Sequence, residues 1–402
     1  MKRYFYTVRD EKGKMVKGNM LAESDIELGD KLSNLGYYLT SFKVAKGVKT
    51  AKRSEKASNL HPREVLRITF QLATLIDAGL PLLEGLKDLA REAGDDKIQR
   101  VMDDIRYRVE SGDSLEGALS FHPDSFSQLY RAIIGAGEAT GKLAQVLDDL
   151  VALLEWQMEL QAKMKEAAIY PLILFVVMVG VVVLLVVKVI PMFTPIFEQL
   201  GSDLPLPTRI VLGVSYAIRH YWYVIMGAIG ALFFAYKTYN ATEKGRYNVD
   251  GVKLKIPLFG DLLRKVALSR FAHTFALSFR AGINLLTCLD IARKTAGNSR
   301  IENAIAKARD SVNVGEKLAV SLKVTGEFPA MVTRMVAIGE QSGSLVKTSS
   351  KVAEYYDREV SSTIKKLFTA FEPIMIVVMG VVVGGIALAI FMPMFQMVEM
   401  VG

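Results

Sequence analysis

The sequence predicts an all-α membrane protein with two homologous six-helix cytoplasmic bundles, three transmembrane helices and a small N-terminal ββαβ unit. Three observations carry this prediction: long apolar stretches without charge, an internal repeat, and apolar residues at helical spacing. The 402 residues suffice for two or three folded units. A hydrophobic fraction of 51% is high for a soluble protein but low for a polytopic transporter, so a mixed protein is indicated.

The N-terminal segment, residues 1–44, predicts a small α/β unit. YFYTV, MVKGNML and YYLTSFKV are typical of strands, and SDIELGDKLSNLG between the last two is typical of a helix. Residues 45–61 form a polar linker, which is interpreted as a solvated tether or as a contact with anionic lipid headgroups. No apolar segment of the signal-peptide kind begins the chain, so an internal segment is expected to enter the membrane.

Three apolar segments predict transmembrane helices at 167–190, 220–237 and 372–397. Residues 167–187 are 21 consecutive uncharged residues, and a helix of that length crosses a hydrocarbon core about 30 Å thick. The middle segment is short and spans only if the flanking Arg219 and Lys237 reach outward, although Tyr221, Trp222 and Tyr236 suit the membrane interfaces.

The distribution of basic residues predicts the orientation. Of the 50 Lys and Arg residues, three lie between residues 170 and 236 and none follows residue 371. The basic residues nearest the spans are Lys163, Lys165, Lys237, Lys244, Arg246, Lys365 and Lys366. We therefore expect a cytoplasmic N-terminus, cytoplasmic domains at 62–166 and 238–371, a periplasmic loop at 191–219 and a periplasmic tail at 398–402. This arrangement explains the net charge of +8 without a nucleic-acid partner.

An internal repeat relates the two cytoplasmic domains. At an offset of 203 residues the coinciding pairs include Arg67 and Arg270, Gly79 and Gly282, Gly94 and Gly297, and Gly112 and Gly315. At an offset of 202 they include Phe126 and Phe328, Gly137-Glu138 and Gly339-Glu340, Pro171 and Pro373, and Pro191-Met192-Phe193 and Pro393-Met394-Phe395. Apolar spacing such as Val65, Ile68 and Leu72 predicts amphipathic helices, with breaks at Gly79, Gly94, Gly112, Pro123 and Gly137.

The candidate site is a pair of glycine-rich segments, one in each copy. Their candidate structural or partner-contact residues are Gly137, Glu138, Gly141, Gly339, Glu340 and Gly343. The first segment does not match a phosphate-binding loop, because Ala136 stands where the motif needs glycine and Leu143 stands where it needs a hydroxyl group. We expect a tight interhelical turn, with each glutamate either capping free backbone amides of the next helix or facing a basic surface on a partner.

Other polar and small residues predict little chemistry. The four histidines are far apart in sequence, which argues against a metal site, and Cys288 is expected in a core. Lys188 and Glu372 lie at span edges, where interfacial anchoring explains them. Gly380 and Gly384 form a small-xxx-small pattern that is expected to pack helices together, within the chain or between subunits.

The duplicated helical unit, the GE-x-x-G-x-L segment in both copies and the P-M-F ending of two spans together resemble the type II secretion system F / PilC family. That family comprises inner-membrane platform proteins of type IV pilus assembly and type II secretion. The resemblance covers residues 62 to 397, and the N-terminal unit looks like the family's variable leader. It implies a homo-oligomeric platform in a bacterial inner membrane. The implied partners are a cytoplasmic hexameric ATPase, pilin or pseudopilin subunits and other inner-membrane assembly proteins.

Two other functional classes fit the sequence less well. A transporter would need more spans, broken helices and buried charge. A membrane-anchored enzyme would need a convergent acid, base or nucleophile set, and the sequence shows none. The prediction is therefore a protein without catalytic residues or cofactor, while pilus assembly, fimbrial adhesion and secretion all stay open.

Overall fold

The computed structural model describes residues 2–9, 15–22, 29, 38–44, 59–198, 205–257 and 259–401. The chain divides into two compact units, residues 1–60 and residues 61–402. Most of the predicted linker at 45–61 lies outside the described residues, as does all of the predicted N-terminal helix except Gly29.

The N-terminal unit is a three-stranded antiparallel sheet with the order β2-β1-β3. Its strands are β1 (Lys2–Arg9), β2 (Met15–Ala22) and β3 (Tyr38–Val44). The pairing of β1 with β3 shifts register between Thr7 and Val8. The strands lie where the sequence predicts them, and the helix of the ββαβ prediction falls on the undescribed stretch between β2 and β3.

The first repeat is a series of amphipathic helices, and its last helix continues into the predicted membrane span. These helices are α1 (Pro62–Asp77), α2 (Leu82–Arg91), α3 (Asp96–Glu110), α4 (Leu115–Ser120), α5 (Gln128–Thr140) and α6 (Leu143–Leu184). Side chains of Asp95, Ser114 and Ser127 accept hydrogen bonds from backbone amides and so start α3, α4 and α5. The repeat buries an apolar core that includes Leu86, Met102, Ile105, Ile133 and Leu147.

The second repeat follows the same order after one additional helix. Its helices are α9 (Glu243–Lys253), α10 (Phe259–Arg280), α11 (Leu285–Thr295), α12 (Ser299–Asn313), α13 (Leu318–Val324), α14 (Ala330–Gln341) and α15 (Leu345–Val401). Cys288 is fully buried in the core of this repeat, as the sequence predicts, beside Phe275, Leu289 and Ile305. Burial raises the pKa of the Cys288 thiol to about 12, so the thiol stays protonated and unreactive.

Among the described residues, three helices are long and apolar enough to cross a membrane: α6, α8 (Leu206–Ala241) and α15. A π-helical turn (Leu185–Val189) and α7 (Ile190–Glu198) continue the first of them. Helix α8 begins within the predicted periplasmic loop at 191–219 and departs from helical geometry only at Tyr221, where the predicted span starts. Its first half packs Val211, Leu212 and Ile218 against Val186, Ile190 and Ile386. Tertiary contact, rather than hydropathy, holds that half in place.

Candidate functional site

The structure places most of the glycine-rich segment inside a helix. Gly137 and Glu138 belong to α5, and Gly339 and Glu340 belong to α14. The predicted break at Gly137, and the prediction that these four residues form a turn, were wrong. A helix accepts glycine at a cost of about 1 kcal/mol, and close packing against a neighbouring helix can offset that cost.

Both glutamates cap the short helix that precedes them. The Glu138 carboxylate accepts hydrogen bonds from the backbone N–H of Leu115 at 2.8 Å and of Glu116 at 3.3 Å, the first residues of α4. In the second repeat Glu340 accepts from Leu318 and Ala319 of α13 at the same two distances. The first amides of a helix have no intrahelical partner, and negative charge is favourable beside them. The expected capping of the next helix is thus corrected to the preceding helix.

The glycines bring the following helix close. A Cβ atom added to Gly137 would lie 2.9 Å from the Cβ of Val146 in α6. A Cβ added to Gly339 would collide with the hydroxyl oxygen of Thr348 in α15. In each repeat the glycine-glutamate pair therefore holds three helices together, including the long helix that enters the membrane.

Gly141 and Gly343 form the turn between these helices. Their φ angles are 68° and 66°, in the left-handed region that favours glycine. The amide of the next residue closes the turn on the carbonyl of Gly137 at 2.8 Å, and Ser344 does the same with Gly339 at 2.8 Å. The two copies match in geometry even though their intervening residues differ.

A second paired feature lies in the membrane region, where α8 binds a backbone carbonyl of the second repeat. Pro393 has no N–H, so the carbonyl of Ala389, four residues earlier in α15, lacks its usual intrahelical donor. The hydroxyl of Thr208 in α8 donates to that carbonyl at 2.7 Å. Thr208 is buried, so water does not compete for the carbonyl.

The first repeat contains the corresponding contact. Pro191 follows the π-helical turn, in which hydrogen bonds join residues five apart, so the carbonyl of Val186 lacks a donor. The buried hydroxyl of Ser215, also in α8, donates to it at 2.7 Å. Helix α8 thus donates a hydrogen bond to one backbone carbonyl of each repeat. In both repeats a proline has removed the usual intrahelical donor of that carbonyl. The sequence shows the prolines of the two P-M-F endings, but it does not show which hydroxyl groups reach them.

The two repeats meet through a hydrogen-bonded network around Asp357. This carboxylate accepts hydrogen bonds from Trp156 at 2.9 Å and Ser269 at 2.7 Å, and lies 2.9 Å from Nε2 of His273. The Trp156 and His273 rings stack with centroids 4.0 Å apart. Burial alone would raise the pKa of Asp357, but the hydrogen bonds and the His273 charge outweigh burial and hold the pKa below its ordinary value.

This network joins α6, α10 and α15 through side-chain hydrogen bonds. The carboxylate of Asp357 is held by three donors at once, from Trp156, Ser269 and His273. Across the part of the chain that the structure describes, no group of three or more His, Cys, Asp and Glu residues is placed to bind a metal ion.

The remaining predicted site residues are solvent- or lipid-facing. Gly380 and Gly384 are exposed, and apart from the backbone around each glycine no described heavy atom of residues 61–402 lies within 4 Å of a Cβ built there. Packing through these glycines therefore stays a prediction about contacts with another subunit. Lys188 and Glu372 are likewise exposed, near the ends of the predicted spans.

Comparison with known proteins finds the same repeat, in the same order, as the sequence itself shows. The family model described as type II secretion system (T2SS), protein F, matches twice, at residues 68–191 and 271–393. The offsets between the two matches equal those found within the sequence, 203 at the start and 202 at the end. This confirms the internal repeat, including its extension into the membrane region.

Curated relatives cover nearly the whole chain. The type IV pilus assembly protein PilC of Thermus thermophilus is 38% identical over 400 residues, covering 98% of each chain. PilC of Pseudomonas aeruginosa is 35% identical over 342 residues, covering 85% of this chain and 91% of the relative. The type II secretion system protein F of Pseudomonas aeruginosa is 33% identical over 410 residues, covering 100% of each.

Proposed function

The chain belongs to the family of type II secretion system protein F, and we propose that it is the inner-membrane platform protein of a type IV pilus or type II secretion machine. The observation that carries this proposal is the double match of the family model across both repeats, together with relatives named PilC and protein F that align over nearly their full length. The three apolar helices agree with a membrane platform.

We further propose that the platform couples a cytoplasmic hexameric ATPase to assembly of pilin or pseudopilin subunits into a filament. The length and continuity of two helices support this proposal. Helix α6 runs for 42 residues and α15 for 57, which correspond to about 63 Å and about 86 Å. Each helix is continuous from its capped bundle into the apolar span. A displacement of either bundle is therefore carried along its helix into the bilayer.

The proposed arrangement places a six-helix bundle in the cytoplasm for each repeat, at 62–166 and 238–371. Spans at 167–190, 220–237 and 372–397 leave the N-terminus cytoplasmic and the C-terminus periplasmic. Reporter fusions at Asn59 and Asn298 are expected to read cytoplasmic, and a fusion at Gly201 periplasmic. A cytoplasmic result at Gly201 would remove the middle span and contradict the arrangement.

A biochemical test separates a platform from an enzyme. The purified chain in lipid nanodiscs should hydrolyse no ATP and bind no nucleotide, yet it should change the turnover of the cognate assembly ATPase. Nanodiscs without the chain provide the control. ATP turnover by the chain alone, or a cognate ATPase whose turnover is unaffected by it, would contradict the proposal.

A genetic test addresses the same proposal in cells. Deletion of the gene should abolish filament assembly or secretion while pilin or pseudopilin subunits still accumulate in the inner membrane. Complementation with the full chain should restore both the platform and the filament. Normal assembly in the deletion strain would refute the proposed function.

A further inference from the structure

One surface of the first repeat is covered by no other described part of residues 61–402, although its counterpart in the second repeat is covered. Within the chain, Trp156 and Asp149 of α6 lie on α10 of the second repeat. Trp156 stacks on His273 and donates to Asp357, while Asp149 accepts from Arg280 at 2.8 Å. The face of α10 that contains His273 and Arg280 is therefore an interface between repeats.

The repeat offset identifies the equivalent face on α1. His273 corresponds to Phe70 and Arg280 to Asp77. Phe70 is 56% exposed, and Asp77 is also exposed. A cavity of about 230 Å³ opens beside Phe70 and is lined by Gln71, Thr74 and Leu75. We name this surface, with Phe70, Thr74, Asp77 and Glu155, the α1 face.

The offset of 202 residues, which applies to the later part of the repeat, identifies the surface that would cover it. The residues of α6 that lie on the second repeat, Asp149, Leu153 and Trp156, correspond to Lys351, Tyr355 and Arg358 of α15. All three α15 residues are exposed, and Tyr355 is 38% exposed. We name this surface, with these three residues, the α15 face. Each repeat thus has one half of an interface that the described part of residues 61–402 leaves open.

The two open faces are complementary in charge. The internal ion pair has a basic residue on α10 and an acidic residue on α6, whereas the open equivalents have acidic Asp77 on α1 and basic Lys351 on α15. Both signs are reversed, so attraction is retained. A face that had merely lost its partner during divergence would have no reason to reverse both charges together.

The centre of the interface is complementary as well. In the internal interface Trp156 lies between the ring of His273 and the carboxylate of Asp357. At the open faces the corresponding residue is Arg358, the ring is that of Phe70 and the carboxylate is that of Glu155, which is exposed. A guanidinium group stacks on aromatic rings and pairs with carboxylates, so Arg358 can make both contacts.

We propose that the α15 face of one copy binds the α1 face of the next copy, which joins subunits head to tail by the same contact that joins the two repeats within a chain. This inference rests on the proposed platform function and names the interface of its homo-oligomer. Heterologous contacts of this kind close into a ring or continue as an arc.

The direction of the membrane helices is compatible with such an assembly. Helices α6 and α15 both leave their bundles towards the predicted membrane, with the reversed helix α8 between them. The rotation and translation that superimpose one repeat on the other therefore leave the direction in which the helices cross the membrane unchanged. Applying it between chains places every subunit in the same bilayer with the same orientation.

Directed cross-linking tests the proposal. Thr74→Cys is introduced in one tagged copy and Glu354→Cys, next to the α15 face, in a differently tagged copy of the full chain, both in nanodiscs. The native Cys288 is buried and needs no removal. A short bis-maleimide linker should join the two tagged copies. A matched control pairs Thr74→Cys with Lys307→Cys, an exposed residue on α12, and should give background yield.

Charge reversal sharpens the test. Asp77→Lys or Lys351→Asp alone should lower the cross-linked yield about fivefold, and the two changes on opposite partners should restore it. Failure of Thr74→Cys and Glu354→Cys to exceed the control would overturn the proposal. Dominant adducts between two Thr74→Cys copies, which would indicate a two-fold interface, would also overturn it.

The test is independent of filament assembly, so the two proposals can fail separately. If cross-linking succeeds in nanodiscs but the gene deletion leaves filaments and secretion intact, the interface is confirmed and the platform function is refuted. If the deletion abolishes assembly but only background adducts form, the function stands and this interface is wrong.

Discussion

Replacing Glu138 with glutamine tests whether the paired glutamates act as structural caps. The substitution keeps the shape of the side chain, and its remaining carbonyl oxygen can accept from the amide of Leu115. Its NH₂ group, however, faces the amide of Glu116, so one of the two hydrogen bonds is lost and the other loses its charge. Hydrogen bonds to charged groups contribute about 1.5 to 3 kcal/mol and neutral ones about 0.5 to 1.5 kcal/mol.

The expected loss of folding free energy is about 2 kcal/mol, because the retained bond is short and the lost bond is the longer of the two. In a folded unit of 150 to 250 residues, each kcal/mol of lost stability lowers the Tm by about 2 to 4 °C. Glu340→Gln should give the same decrease, since its two contacts have the same lengths. The double variant should be additive, because the two sites share no hydrogen-bond partner.

The assay is thermal unfolding of the purified full chain, followed by circular dichroism, together with the membrane level and filament assembly in a complemented strain. Glu110→Gln is the matched control, since Glu110 is exposed and its ion pair with Arg106 is expected to contribute less than about 1 kcal/mol. The structural interpretation is refuted if Glu138→Gln keeps the wild-type Tm and membrane level but abolishes assembly. That result would favour a carboxylate that faces a basic surface on the ATPase.

Three further predictions follow from other contacts. Gly137→Ala should destabilise the first repeat by about 1 to 3 kcal/mol in thermal unfolding because its Cβ would press on Val146, and a wild-type Tm would contradict the packing argument. Thr208→Val and Ser215→Ala should each lower stability in detergent unfolding by about 1 to 2 kcal/mol by leaving a membrane carbonyl without a donor, and unchanged unfolding would show that the carbonyls find other partners. The pKa of Asp357 is below its ordinary value, so its stabilisation is fully present above about pH 5 and is lost as the pH falls through the ordinary and then the lowered pKa. Asp357→Asn should therefore show a shallower loss of Tm below about pH 5 than the wild type, and parallel pH profiles would refute the assigned role.

The features that depend on neighbouring residues in sequence were predictable. The apolar stretch at 167–187 and the charge-free end of the chain predict their helices, because hydropathy adds up along a segment regardless of what the segment touches. The three N-terminal strands lie where alternation predicts them for the same reason. The internal repeat is likewise a property of sequence alone.

Features that depend on contacts across the chain were not predictable in the same way. The first half of α8 contains Arg209 and Arg219 and reads as a loop, yet it is helical because its apolar face meets Val186 and Ile386. Gly137 was predicted to break a helix, yet it lies inside α5, where the missing side chain lets Val146 of the next helix pack closely. In both cases a distant partner outweighs local propensity.

For the candidate site, the sequence by itself determined that glycine and glutamate recur together in both repeats and that a carboxylate beside free amides would cap a helix. Only the tertiary structure decided that Glu138 reaches back to Leu115, 23 residues earlier, and that Trp156 meets Asp357 from the other repeat. Repetition and hydropathy are properties of the linear sequence and can be read from it directly. The direction of a side chain depends on which helices pack around it, and that packing exists only once the chain has folded.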